Sequence, residues 1–69
     1  MTPTNERIED FIEEISSKIR AKMAIERISQ RELADISGIS VNTINNVCRG
    51  KSTSLTNIAI IFISLDISL

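Results

Sequence analysis

The sequence predicts an all-α single domain, and three patterns in its 69 residues support that prediction. Apolar residues recur every three or four positions through the first third of the chain, which is typical of one face of a helix. Ser29 is followed three residues later by Glu32, the spacing of a capping box at a helix start. Ser40 and Ser54 precede two further apolar segments in the same way. We therefore expect four to five helices around one small core.

The first helix is predicted to run from about Thr4 to Glu26. Pro3 is tolerated in the first turn of a helix, and acidic residues near its start suit the helix dipole. The adjacent Ser16 and Ser17 leave open a break into two shorter helices. The predicted apolar face comprises Ile8, Phe11, Ile12, Ile15, Ile19 and Met23.

Residues 29–49 read as two short helices joined by a tight turn. Ser29 caps the first helix, and Gly38 offers the left-handed residue that ends it. Ser40 caps the second helix, which is predicted over Val41 to Cys48 and ends at Gly50. This arrangement predicts a helix-turn-helix unit.

A last helix is predicted over residues 54–65, with Ser54 as its cap. Its many isoleucines also suit a β-strand, so a strand remains the alternative. If helical, the inward face is expected to comprise Leu55, Ile58, Ala59, Phe62 and Leu65.

Charge is unevenly distributed along a chain whose net charge is only −1. Residues 1–16 hold one basic and five acidic residues, whereas residues 17–51 hold seven basic and three acidic ones. A local basic face is what a phosphate backbone requires, so the central segment is the candidate nucleic-acid surface.

Composition argues against several other classes of protein. One cysteine and no histidine leave no internal disulfide and no zinc site. Without a metal-ligand cluster or a glycine-rich phosphate loop, we expect no catalytic residues, no metal and no cofactor. No signal peptide or membrane span is apparent, so a cytoplasmic protein without a membrane partner is expected.

The second helix of the predicted motif is unusually rich in asparagine, with Asn42, Asn45 and Asn46. Asparagine is a poor helix former because its side chain competes for backbone hydrogen bonds. An amide that both donates and accepts, however, pairs with two atoms of adenine in the major groove. The asparagines therefore predict base reading, and Val41 at the helix tip could contact a thymine methyl group.

The stretch QRELADISGISVNTINNVCRGK, residues 30–51, resembles the helix-turn-helix of the Cro/CI family, the XRE or phage lambda repressor-like type. The resemblance spans about residues 15–68. It implies a lambda-repressor-like bundle with a central helix-turn-helix, lacking the usual last helix and carrying an extended N-terminal helix. It also implies a DNA-binding transcription regulator of prokaryotic or phage origin, most simply a small phage- or plasmid-type repressor that binds a palindromic operator as a dimer.

The resemblance assigns DNA contacts by position. Gln30 matches a phosphate-binding residue that braces the second helix, and Ser29 beside it could offer its backbone N–H to phosphate. Asn45 as a solvated surface residue remains an alternative, as does Thr43 as a residue that mainly packs or bonds its own backbone. The full predicted set is Ser29, Gln30, Val41, Asn42, Thr43, Asn45, Asn46, Arg49 and Lys51, with Arg20 and Lys22 as weaker candidates for flanking phosphates.

The chain departs from the family pattern at three places. Cys48 replaces the usual acidic residue, and Asp66 replaces a glycine, which predicts a different end to the last turn. Ile60 and Ile63 replace charged residues, and no room is left for the family's fifth helix. The surplus apolar residues are expected to meet a second subunit or the N-terminal extension near Ile8 to Ile12. They are Ile60, Ile61, Ile63, Ile67 and Leu69.

Residues 1–15 form the acidic helical extension, which has two interpretations. It is either a solvated helix face or a docking surface for a basic protein. The second interpretation supports an alternative function, an antitoxin or adaptor that acts mainly through protein–protein contacts.

Overall fold

The structure, a computed structural model, describes residues 3–68, with side chains from residue 5 onward, and this part contains four helices. They are α1 (Pro3–Glu26), α2 (Gln30–Ser37), α3 (Val41–Cys48) and α4 (Leu55–Ser64). The all-α prediction is confirmed, and the strand alternative for the last segment is wrong. Within residues 3–68 no helix is both long and apolar enough to cross a membrane.

All four helices contribute to one core. α2 packs against α3 and α4, and α1 packs against α3. Ile19, Leu33, Ile44 and Ile61, one from each helix, have no exposed surface. The rest of the core comprises Met23, Ala34, Val47, Cys48, Phe62 and Leu65.

α1 is a single continuous helix, as predicted, and the alternative of a break at Ser16 and Ser17 is wrong. Ser16 is 1% exposed, and its hydroxyl donates a 2.7 Å hydrogen bond to the backbone carbonyl of Val47 in α3. Serine occurs here because its hydroxyl binds another helix.

The helix starts match the predicted caps. The hydroxyls of Ser29, Ser40 and Ser54 each accept the backbone N–H of the residue three positions on. Glu32 also accepts the N–H of Ser29 at 3.0 Å, which completes the capping box. Gly38 adopts φ 76°, the left-handed conformation predicted for the end of α2.

α4 ends in a left-handed residue although Asp66 stands where the family pattern has glycine. Asp66 adopts φ 57°, and the N–H of Ile67 donates to the carbonyl of Phe62 at 2.8 Å, the bond of a Schellman turn. Asp is one of the few residues that visit this conformation. Because Ile67 packs on the core, its burial offsets the remaining strain.

The prediction of which α4 residues face inward is partly wrong. Leu55 is 82% exposed and Ala59 is also exposed, whereas Ile61 is fully buried. Since α4 is apolar almost all round, its periodicity alone does not select an inward face, and packing against α2 does. Ile61 therefore belongs to the chain's own core and is removed from the predicted interface.

The other predicted interface residues differ in exposure. Ile63 is 80% exposed, Ile60 is half-buried, and Ile67 is half-buried against the core. Leu69 lies outside the described residues.

In the N-terminal half of α1, the described side chains are exposed except for Ile12, which is half-buried. Ile8 is 51% exposed and Phe11 is 62% exposed. An open apolar groove of about 630 Å³ separates this half of α1 from α4. Phe11 and Ile15 line its α1 side, and Ile58 and Ile63 line its α4 side. The alternative in which the extension packs against the last helix is therefore wrong.

Candidate nucleic-acid interface

α2 and α3 form the predicted helix-turn-helix, joined by the three residues Gly38 to Ser40. A side chain added at Gly38 would meet nothing within 4 Å, so its positive φ is what favours glycine there. Ser40 begins α3 by accepting the N–H of Thr43 at 3.2 Å. α3 thus has a defined start, and its first residues project from the turn.

The two sides of α3 differ in chemistry. Ile44 and Val47 are buried in the core, while Asn42 and Arg49 are exposed and Asn46 is half-buried. Asn42, Asn46 and Arg49 follow one another at spacings of four and three, so they form one line along the outer side of the helix. Val41, 40% exposed, lies at the tip.

Asn45 lies at the flank of this line and has a partner within the chain. Its side-chain nitrogen donates a 3.1 Å hydrogen bond to Oε1 of Gln30, the first residue of α2. This bond holds the two helices of the motif together. Among the described residues the Gln30 nitrogen has no partner, so it remains free to donate outward.

Thr43 contributes to the local cap of α3 through its side chain, a contact that neither of its two interpretations named. Its hydroxyl oxygen accepts from the hydroxyl of Ser40 at 2.9 Å. The Thr43 hydroxyl hydrogen remains a possible donor.

The predicted phosphate contact through the backbone N–H of Ser29 is wrong, because the capping box uses that N–H for Glu32. The N–H groups of Gln30 and Arg31, in the first turn of α2, have no acceptor among the described residues. These are the groups that a helix start offers to an anion.

The cations divide into free and engaged groups. Arg49 and Lys51 are exposed and make no ion pair within residues 5–68, although Lys51 lies beside the apolar groove. Arg20 and Lys22, the weaker phosphate candidates, pair with Glu13 at 2.7 Å and with Glu26 at 3.3 Å. The geometry therefore favours Arg49 and Lys51 for phosphates.

Three side chains of α1, which we call the α1 clamp, hold the C-terminal end of α3. Arg20 donates to the carbonyl of Cys48 at 2.6 Å and to Glu13 at 2.7 Å, while Ser16 binds Val47. A Cβ added at Gly50 would lie 2.9 Å from Oε2 of Glu13, so this turn passes close to the clamp.

The clamp satisfies carbonyls that have no partner within the helix, and Arg20 places a cation at its negative end. Sequence analysis missed the clamp. A signal existed, because Ser16 lies among the inward apolar positions of α1.

Cys48 is buried, and its sulfur lies 3.9 Å from that of Met23. Burial raises the pKa of the Cys48 thiol, and the nearby Arg20 guanidinium partly opposes that rise. The residue that replaces the expected acidic group is therefore a neutral core side chain near pH 7.

Comparison with known proteins gives one match. A family model described as helix-turn-helix matches residues 19–69, well over half of the chain. No curated protein and no solved structure matches it. The matched region begins within α1 and contains the whole α2–α3 unit, whereas the acidic N-terminal half of α1 lies outside it.

Proposed function

This chain belongs to the Cro/CI-type helix-turn-helix family of DNA-binding transcription regulators, and from that premise we propose that it is a repressor that binds a palindromic operator as a homodimer. The family is one of DNA-binding domains rather than enzymes. Occupancy of a promoter is sufficient for repression, so the proposal requires no second activity.

The observation that carries the proposal is the outer face of α3. Asn42 and Asn46 turn amide groups outward that have no partner among the described residues, while their neighbour Asn45 is held by Gln30. Outward amides on a helix whose opposite side is buried match the donor and acceptor pattern of adenine in the major groove. Val41 and Thr43 lie at the tip of the same helix and are proposed to contact bases.

The proposed backbone contacts flank that face. The first turn of α2, with Gln30 and its neighbours, faces one phosphate, and Arg49 faces another. Lys51 contributes a more peripheral charge. Two subunits related by a two-fold axis would present their α3 helices about 34 Å apart, which is one turn of B-DNA.

The test is selection of bound duplexes from a random pool, followed by affinity measurements on the enriched sequence. Asn42→Ala is expected to cost about 1–3 kcal/mol at one base pair and to relax the preference there. Arg49→Ala should weaken enriched and random duplexes alike and reduce the salt dependence. Thr56→Ala, an exposed change on α4, serves as the matched control.

An enriched inverted repeat supports the proposal. A pool without any enriched sequence would contradict it, as would equal losses for Asn42→Ala on enriched and random DNA.

The antitoxin or adaptor alternative has its own supporting observation. The family match excludes the acidic N-terminal half of α1, which also exposes Ile8 and Phe11. This function predicts a tight complex with a basic protein and only weak, sequence-independent DNA binding. Copurification of the tagged full chain from its native host would distinguish the two.

A further inference from the structure

We propose that α1 of a second copy of this chain docks antiparallel along α1, on the stripe formed by Ile8, Phe11, Ile15, Lys18, Lys22 and Ile25. The proposal rests on the homodimer of the proposed function and names the surface through which the two copies meet. It moves that surface from α4 alone to the long first helix.

The spacing of the stripe is the first argument. Its members follow at intervals of three, four, three, four and three residues, the a and d positions of a coiled coil. α1 has 24 residues and is therefore about 36 Å long, so this pattern spans most of the helix.

Exposure is the second argument. The Ile8, Phe11 and Ile25 side chains are 51%, 62% and 74% exposed. Large apolar side chains repeated along one exposed helix face are typical of an interaction surface rather than of scattered surface residues. Ile19 and Met23, on the neighbouring side of the same helix, belong to the chain's own core, and Ile15 is the stripe residue that also packs against it.

Continuity with the groove is the third argument. Phe11 and Ile15 line the apolar groove beside α4, whereas Lys18, Lys22 and Ile25 line a shallower depression that adjoins it. Ile67 borders both. One unbroken surface therefore follows the stripe, and the groove has room for side chains of a partner helix.

Charge decides the direction of the partner. The first half of α1 carries Glu6, Glu9, Asp10, Glu13 and Glu14, and the second half carries Lys18, Arg20 and Lys22. An antiparallel partner brings the acidic half of each helix against the basic half of the other. A parallel partner would oppose Lys18 to its own copy, and Lys22 likewise, in the middle of the contact, which is unfavourable.

The intervals between the stripe residues read the same in both directions, and this determines which residues face each other in an antiparallel pair. Ile8 meets the partner's Ile25, Phe11 meets the partner's Lys22, and Ile15 meets the partner's Lys18. The two apolar ends thus cover each other. Each lysine can lay its aliphatic stem on an apolar side chain and direct its ammonium towards Glu14 of the partner subunit.

Sedimentation equilibrium of the full chain and of two variants tests the surface. The wild type is expected to be a dimer, and Phe11→Ser should raise its dissociation constant about tenfold or more, a loss of about 1.4 kcal/mol. Ile36→Ser is the matched control, because Ile36 is similarly exposed at 59% but lies on α2. A monomeric wild type, or equal effects of the two changes, would overturn the proposal.

Disulfide trapping tests the direction. Chains carrying Ile8→Cys should cross-link with chains carrying Ile25→Cys when mixed, because the antiparallel register opposes these positions. Neither variant should cross-link with itself, and the native Cys48 is buried. Self-linking of Ile8→Cys without mixed products would indicate a parallel pair and overturn the register.

These experiments distinguish failure of the α1 contact from failure of the DNA-binding proposal. If Phe11→Ser is monomeric but retains half-site affinity, both proposals hold. A monomeric wild type that still selects a DNA sequence defeats the α1 contact and the homodimer, and leaves sequence-specific DNA binding standing. A stripe-dependent dimer without sequence preference defeats only the repressor function.

Discussion

The two halves of α1 have the same apolar periodicity but different surroundings. In the C-terminal half, Ile19 and Met23 are buried, and Ser16 and Arg20 hold the end of α3. In the N-terminal half, Ile8 and Phe11 are more than half exposed. The difference arises because the contacts of α1 with α3 and with the core lie in its second half.

This comparison teaches that a helical face becomes core only where the fold supplies a partner. The second half of α1 stabilises the monomer and positions α3, the proposed reading helix. The first half carries apolar surface that the monomer does not use. The predictions below test that division, from the largest expected effect to the smallest.

The largest difference is expected between matched isoleucine substitutions in the two halves. Ile19→Ala removes a fully buried side chain and should cost about 2–5 kcal/mol in the free energy of unfolding. Ile8→Ala at an exposed position should change it by less than about 0.5 kcal/mol. Urea denaturation at a low protein concentration, chosen to keep the proposed dimer dissociated, measures both. Similar losses at the two sites would refute the division.

A smaller effect is expected at the serine pair in the middle of α1. Ser16→Ala removes the hydrogen bond to Val47, whose carbonyl keeps only the N–H of Gly50 at 3.0 Å. The expected loss is about 1 kcal/mol. Ser17→Ala, on the exposed side, is the control and should be neutral or slightly stabilising because alanine is the better helix former. Urea midpoints of the two variants give the comparison, and a neutral Ser16→Ala would argue that the clamp contributes no stability.

The cation of the clamp should matter less than its serine. Arg20→Ala removes the bonds to Cys48 and Glu13, but the Arg20 side chain is 44% exposed and water can replace it. The loss is expected to stay below about 1 kcal/mol and to shrink at high salt. Lys22→Ala, which removes only a surface pair with Glu26, is the control. Thermal unfolding of both variants at low and high salt makes the comparison. If the stability lost in Arg20→Ala does not depend on salt, the loss comes from packing rather than from charge.

The smallest expected effect is a pH dependence at Cys48. Burial raises its pKa in the folded state, so the unfolded chain loses the thiol proton first as the pH rises. The stability from the neutral thiol is complete below about pH 8.5 and declines above it. The stability of the Cys48→Ala variant should decline less steeply than that of the wild type between about pH 8 and pH 10. If the urea midpoints of the wild type and of Cys48→Ala change equally with pH, this prediction is wrong.

Much of the site could be predicted because it depends on local chemistry. The capping box of Ser29, the left-handed Gly38 and the outward asparagines of α3 all follow from neighbours within a few residues. Lys51 was predicted to contact phosphate, and its position beside the groove depends on how α1 and α4 lie around the loop.

The contacts that were missed all join residues distant in the chain. Ser16 binds a residue 31 positions away, and Arg20 binds Cys48 across 28 positions. Such bonds depend on how helices are oriented, about which the spacing within one helix carries no information. The same reason explains why Ile61 was assigned to an interface when it lies in the core.

The sequence by itself determined the helices, their caps and the polar side of α3, because these depend on propensities and on hydrogen bonds within a turn or two. Only the tertiary structure decided which side of α4 is buried, that α1 remains unbroken, and where α1 extends beyond its partners. The reason is that burial is a property of pairs of elements. An apolar face indicates that a helix must pack against something, whereas the packing of the whole chain determines which element covers that face.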